Sequence, residues 1–369
     1  MITWRAGEVV SLGARWAGAQ ELTAQTADGV VRALAYPAVV GDVAVGDRVL
    51  LNVTALARGL GTGGYALVVA LPDALPPDPA PGPGHLVKGR YTPQQAMVLG
   101  VDEQESEHHE LLREADDLGG LPVVVADLHS AVPAIVAGAR WSAAEAGRPL
   151  PRVAYVMTDG GALPAWFSRT VATLRETGWL ASCLTVGQAF GGDLEAVTVH
   201  TGLLAARLVA AADLAVVAQG PGNLGTGTRW GFSGVAAGEA LNAAAVLRGR
   251  PVAALRVSGA DPRDRHRGVS HHSLTAVGRV ALAPADVVVP VGDAPGERGA
   301  VRSRVREQAR ALCRPEGRHA LVEVPVEPGL EDALATTPVR LSTMGRGLDA
   351  DPEAFVAAAV AGVHAERSR

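Results

Sequence analysis

The sequence predicts an α/β protein: a Rossmann-like, mostly parallel sheet with helices on both faces, preceded by a small N-terminal β-barrel-like domain. Three observations lead there. Short Val-rich runs alternate with Ala/Leu-rich helical stretches over the last two thirds of the chain. The first 72 residues instead carry closely spaced β segments punctuated by glycine. Finally, 48% of residues are hydrophobic but only 4% aromatic, which suits small-residue helices packed on a Val-rich sheet. At 369 residues the chain is long enough for a sizeable core in more than one domain.

Taken in order, Gly7–Val10, Gly29–Tyr36, Arg48–Leu51 and Tyr65–Ala70 are the β segments of a domain over residues 1–72. It reads as a packing or oligomerisation module; without interleaved aromatic and basic residues, nucleic acid is the disfavoured partner. Pro72, Pro76, Pro77, Pro79, Pro81, Pro83 and Pro93 mark a linker over 73–93. Thr92-Pro93 then reads as a helix cap, with helical sequence toward Asp117. Its His108 and His109 sit in an acidic run that reads as a solvated face.

Repeating strand–turn–helix units follow within a domain over 94–369. Strands are expected at 122–126, 152–157, 181–186, 214–218, 251–257, 287–291 and 320–324. Helices are expected from Ala131, through Arg175, over Asp193–Ala211, near Arg302–Cys313 and over Pro352–Glu366. Continuous apolar strands of this kind belong to a parallel sheet, whose ligands bind beyond the strand C-termini. Almost every unusual polar residue lies in those turns.

The densest is Asp261-Pro262-Arg263-Asp264-Arg265-His266-Arg267-Gly268-Val269-Ser270-His271-His272. His266, His271 and His272 could hold a divalent metal with Asp264 or Asp261. Without metal, Arg263, Arg265 and Arg267 would clamp a phosphate or carboxylate while one imidazole exchanges protons. A third reading is an Arg/Asp ion-pair network that stiffens a long loop.

Gly220-Pro221-Gly222-Asn223-Leu224-Gly225 matches the dinucleotide pattern but lies inside the repeat series, with Thr226, Thr228 and Arg229 before the next helix. It would cradle an anion on backbone amides, or be a tight loop against another backbone; a nicotinamide or flavin is the weaker reading. Thr158-Asp159-Gly160-Gly161 has the same anatomy, with Asp159 either a cap or a functional acid. His129-Ser130 places an acid/base or ligand histidine on the same edge; Ser130 lacks a nucleophile-elbow pattern and reads more simply as a cap. No phosphate-binding G-x-x-x-x-G-K-[ST] occurs.

Cys183 and Cys313 stand far apart with no zinc-type spacing, and the N-terminus lacks a signal pattern. The apolar run Leu203–Ala218 is broken by Arg207 and Asp213, so no membrane span is expected and a cytoplasmic protein is the default. The net charge of -5 gives no general attraction to nucleic acid or anionic membrane.

Thr158–Pro164, Gly220–Thr228, Ala260–His272 and Ser342-Thr343-Met344-Gly345-Arg346-Gly347 together resemble an uncharacterised bacterial family, number 3866 of the domain-of-unknown-function series, over nearly the whole chain. That resemblance implies no activity. The residues favour a hydrolase or transferase acting on a small anionic, phosphorylated or nucleotide-like ligand. A non-catalytic metabolite-binding regulator and a dinucleotide-dependent oxidoreductase are the alternatives, and homo-oligomerisation is open.

Overall fold

In the computed structural model, which describes residues 1–61, 63–314 and 317–369, the chain forms two compact units. The first comprises Met1–Val98 with Trp166–Ala172, the second Leu99–Ala165 with Thr173–Arg369.

The first unit is built on a closed five-stranded barrel of β1 (Trp4–Trp16), β2 (Ala19–Thr26), β3 (Gly29–Ala35), β4 (Arg48–Asn52) and β5 (Ala66–Ala70), in the order β1-β2-β3-β5-β4. Alternation along each strand sends Leu22, Ala24, Ala33, Ala35, Val49, Leu51, Ala66 and Val68 into one buried cluster. Strand β2, which lacks a Val-rich core, had no counterpart among the expected segments.

The second unit carries an eight-stranded sheet formed by β6 (Pro122–Ala126), β7 (Val153–Thr158), β8 (Ser182–Thr185), β9 (Leu194–Glu195), β10 (Leu214–Gln219), β11 (Arg250–Ala254), β12 (Asp286–Val291) and β13 (Ala320–Pro325). Their order is β9-β8-β7-β10-β6-β11-β12-β13, and every neighbouring pair is parallel. Val123, Val125, Ala154, Val156, Ala215, Val217, Ala253 and Val287 turn to one face. There they meet Leu203 of α2 (Val199–Leu208), Leu241 of α3 (Ala236–Val246) and Val305 of α5 (Glu297–Cys313). The alternate residues Val124, Tyr155, Val216, Val252 and Val288 are equally buried. Helices α1 (Val132–Glu145) and α6 (Pro352–Arg367) pack on each other, and α6 lies against β6, β11 and β12. A short α4 (His271–Thr275) lies between β11 and β12 in the chain.

Three expected elements differ. Residues 92–117 are not a continuous helix: Ala96–Val98 pairs antiparallel with Leu86–Lys88, and only His109–Leu112 is helical. The Thr92 hydroxyl bonds back to Gly89 O at 2.7 Å instead of capping forward, and the Glu103 carboxylate takes Gly100 N at 2.6 Å. Local side-chain bonds thus satisfy the backbone and compete with helix formation. The run 251–257 splits after Ala254; Val257-Ser258 forms a separate ribbon with Gly268-Val269. The helix expected from Asp193 begins at Val199, because Leu194-Glu195 is the sheet's edge strand. No helix among the described residues is long and apolar enough to cross a membrane.

The α1–α6 contact depends on two missing side chains. A Cβ on Gly138 would lie 2.0 Å from Ala359 O, and one on Gly362 1.9 Å from Ile135 O. Either addition must push the helices apart. Gly138→Ala or Gly362→Ala should therefore lower unfolding free energy by about 1–3 kcal/mol in urea titrations, despite alanine's better helix propensity; an unchanged midpoint would show that the crossing is looser than these distances require.

Candidate functional site

Parallel pairing brings three polar residues together just past the ends of β10, β6 and β11: the register carries Gln219 opposite Asp127, and Arg256 follows one residue beyond the position level with Asp127. Gln219 Nε2 donates to Asp127 O at 2.8 Å. Asp127 Oδ2 and Gln219 Oε1 are buried without hydrogen-bond partners. Burial pushes the Asp127 carboxyl up to about 6, against the pull of the Arg256 guanidinium. Desolvation in turn lowers Arg256, and Asp127 is the main opposing influence. Asp127, Ser130, Arg256 and Thr343 help line a cavity of about 30 Å³.

Arg256 leads to the histidines: its Nη1 donates to His272 Nδ1 at 3.3 Å. Ser270 caps α4, its hydroxyl accepting from His272 N at 3.2 Å, and the same oxygen lies 2.7 Å from His266 Nδ1. Arg265 Nε donates to His266 Nε2 at 3.4 Å. A guanidinium can only donate, so the His266 proton sits on Nδ1 and points at Ser270. Phe232, arriving from the Gly220 loop, stacks on His272 with centroids 3.9 Å apart and rings 1° from parallel. Ring centroids are 5.0 Å apart for His266–His271, 5.1 Å for His266–His272 and 4.3 Å for His271–His272. One nitrogen from each imidazole can be chosen so that all lie within 4.8 Å of one another.

Burial first, and nearby guanidiniums second, hold all three imidazoles below the ordinary histidine range, His266 at about 4 and His272 at about 3. They are neutral near pH 7, the state in which imidazole accepts a proton or binds a metal. His271 Nε2 is buried and has no hydrogen-bond partner.

The other polar residues of this loop divide. Asp261 is fully buried; its carboxylate accepts Arg263 Nε and Nη2 at 2.9 Å each and Arg346 Nη2 at 3.2 Å. Arg346 Nε also reaches Asp351 at 3.1 Å, and Asp351 accepts from the Ser258 hydroxyl at 2.5 Å. Arg263 beside it holds the Asp261 carboxyl well below the usual range. Asp261 and Arg263 thus form the expected ion-pair network and are spoken for. Arg267 Nε bonds Asp261 O at 3.1 Å. Asp264 is exposed and stands outside the three-histidine group.

The remaining sequence candidates are placed as follows. His129 Nδ1 lies 3.0 Å from Tyr155 Oη, whose own proton points at Ala218 O and Gln219 O, so Nδ1 donates; burial lowers His129 to about 4. Ser130 bonds Thr343 Oγ1 at 3.1 Å. Asp159 Oδ2 accepts Gln188 N at 2.9 Å and thereby holds the turn after β8.

The glycine turns are used on each other. A Cβ on Gly161 would fall 2.1 Å from Gly220 O, one on Gly160 2.6 Å from Gln219 Oε1, and one on Gly220 2.4 Å from Ala162 O. Asn223 Oδ1 accepts from the Ser233 hydroxyl at 2.8 Å, Thr226 and Thr228 bond one another at 3.1 Å, and Thr226 N bonds Gly231 O at 2.7 Å across from Gly225. Beyond Gly222 the chain runs through this exposed loop to the 3-10 turn Ser233–Val235, which leads into α3 at Ala236.

Sequence reasoning gave no individual role to Asp127, Arg256, Phe232, Ser270, Arg346 or Asp351, although Ser270 and Arg346 lie within stretches it quoted. One signal was available: Arg256 is a charge inside the otherwise apolar run Val252–Val257.

A buried carboxyl raised above its unfolded pKa has a definite linkage sign. Asp127 costs nothing below about pH 4, where it is protonated folded and unfolded, and destabilises the fold as pH rises through about 6. Asp127→Asn should therefore match the parent near pH 4 and exceed it by about 3 kcal/mol at pH 8 in urea titrations; a constant difference across that window would show that Asp127 does not titrate there. Within the ion-pair network, Asp261→Ala leaves Arg263 unmatched and Arg346 with Asp351 alone, and should cost about 2 kcal/mol, read as a lower unfolding midpoint at pH 7.

A family profile described as "Protein of unknown function (DUF3866)" matches residues 32–362. No curated protein and no solved structure matches the chain. With the profile spanning both units, the chain belongs to the domain-of-unknown-function family 3866.

Proposed function

We propose that this chain is an enzyme, a hydrolase or transferase, acting on a small anionic ligand at the C-terminal edge of its parallel sheet. The carrying observation is the placing of three neutral, mutually contacting imidazoles beside guanidiniums that are not consumed by carboxylate hydrogen bonds. Arg256 and Arg265 contact His272 and His266, whereas Arg263 is occupied by Asp261. Cations recruit the anion, and neutral imidazoles alongside can take or relay a proton at neutral pH.

The topology supports the same location under a Rossmann-like reading. From β6 the chain moves outward through β7, β8 and β9, returns to β10, and crosses to β11, β12 and β13 on the other side. Ligands of open parallel sheets bind beyond the strand ends where the order reverses, and Gln219, Asp127 and Arg256 stand there. Arg265 together with Arg256 would hold the ligand's charge, His272 or His271 would act as general base or acid, and Ser270 would orient His266.

A panel of phosphoesters and carboxylate esters tests the assignment. Turnover by the parent chain should fall about 10²–10⁴-fold in His271→Ala and His272→Ala, with circular dichroism unchanged. Stabilisation of the parent by inorganic phosphate, followed by thermal melting, should vanish in Arg265→Ala, an exposed position that leaves the core intact. Turnover that survives both histidine replacements would overturn the catalytic assignment. Anion binding with no turnover on any substrate would mark a non-catalytic binder instead.

A further inference from the structure

We infer that His266, His271 and His272 are the protein ligands of a divalent transition metal, of the zinc class, and that this metal binds together with the anion. The inference rests on the anionic-ligand reading above and adds a metal to it.

Three features carry it. The three imidazoles supply ligand atoms within 4.8 Å of one another. Ligating nitrogens around a tetrahedral ion with bonds near 2.0–2.1 Å stand about 3.4 Å apart, so modest ring rotation closes the set. His271 Nε2 is buried with no partner at all, a costly arrangement that a metal bond would relieve. The opposite nitrogen of His266 is already tied to Ser270 Oγ at 2.7 Å, the hydrogen bond from a neighbouring side chain that metal-bound imidazoles usually make. Three imidazoles without thiolate or carboxylate also leave coordination positions open, as a catalytic metal requires.

The anion enters through charge. His266 Nε2 and His272 Nδ1 accept from Arg265 and Arg256 at 3.4 and 3.3 Å, longer than an ordinary hydrogen bond to nitrogen or oxygen. A divalent ion adds two positive charges beside these guanidiniums; Asp127 offsets Arg256 at most, and the histidines bring no negative charge. An anion in the open positions of the metal supplies that charge and gives the displaced guanidiniums their partner. The substrate class is therefore an anion able to coordinate a metal, such as a phosphoryl or carboxylate compound. Polarising its oxygen, or activating a bound water, is the chemistry the metal would supply.

The test is calorimetric titration of the chelator-stripped full chain with micromolar Zn²⁺ or Co²⁺, with and without inorganic phosphate. One ion per chain is expected, with at least tenfold tighter binding in phosphate. His271→Ala should weaken binding at least a hundredfold. Ser270→Ala, which keeps all three ligands, should weaken it about 10–100-fold. Arg265→Ala should remove the phosphate enhancement while binding metal at least as well as the parent in phosphate-free buffer. Absence of stoichiometric binding by the parent chain, or equal affinity in His271→Ala, overturns the metal site. Metal binding indifferent to phosphate overturns the coupling. Phosphoester turnover that resists chelators and persists in metal-free protein rejects the metal while leaving the anionic-ligand reading intact. The converse, metal binding with no anion effect and no turnover, rejects that reading.

Discussion

The structure around this site depends on one charge held at the end of a buried strand. Arg256 stands two residues past the end of β11, where neighbouring backbone is covered by α6 and by the loop after β6, so its guanidinium is partly removed from water. Such a group is tolerable only near a compensating charge, and parallel pairing of β6 with β11 supplies one by placing Asp127 on the adjacent strand. The compensation is incomplete. Asp127 is itself buried deeply enough to be pushed up to about 6, so near neutrality the pair carries its full charge at a cost in stability. A fold that keeps such a pair has it at the sheet edge where ligands bind, which ties the energetic irregularity to the proposed function.

The loop after β11 resolves its crowding by division. Asp261, Arg263, Arg346 and Asp351 form a closed network with Ser258, anchoring the loop between the Val257-Ser258 ribbon and the start of α6. Arg265 and the three histidines lie on the remainder, where the Ser270 cap, the Phe232 ring and neighbouring imidazoles fix their orientation. The first set holds the second in place: a stiff buckle of paired charge sets the chain direction from which His266 and α4 project. Of these arginines, Arg263 and Arg346 thus belong to the structural network, while ligand contact is the role proposed for Arg265.

Strands of the second unit were legible because a parallel sheet covered on both faces needs uninterrupted apolar runs, and Val-rich stretches such as 122–126 and 287–291 have few other uses. The histidine loop was legible for the opposite reason, as concentrated polarity with no role in a core. Its partners were hidden because they depend on strand order. That β10 inserts between β7 and β6, bringing Gln219 beside Asp127, is a long-range pairing with no local sequence mark. The stretch 92–117 misled because Thr92-Pro93 has the residues of a helix cap, while the decisive bonds, Thr92 to Gly89 and Gly100 to Glu103, close turns on side chains that a helical reading assigns to solvent.

The glycine turns show most sharply why a motif and a site are different things. Gly160-Gly161 and Gly220-Pro221-Gly222 have the composition of a phosphate cradle, and glycine is needed in both settings for one reason: no Cβ fits. What fills the vacated space decides between them. Here Gly161 faces the Gly220 carbonyl, Gly220 faces the Ala162 carbonyl, and Ala162 N is bonded to Pro221 O. The two loops have therefore taken each other as the close neighbour that an anion would have been. Their packing still serves the site, because the chain leaving Gly222 returns at Phe232, whose ring covers His272. Glycine at this edge acts by letting two turns close on each other, and so by positioning an aromatic wall for the imidazoles.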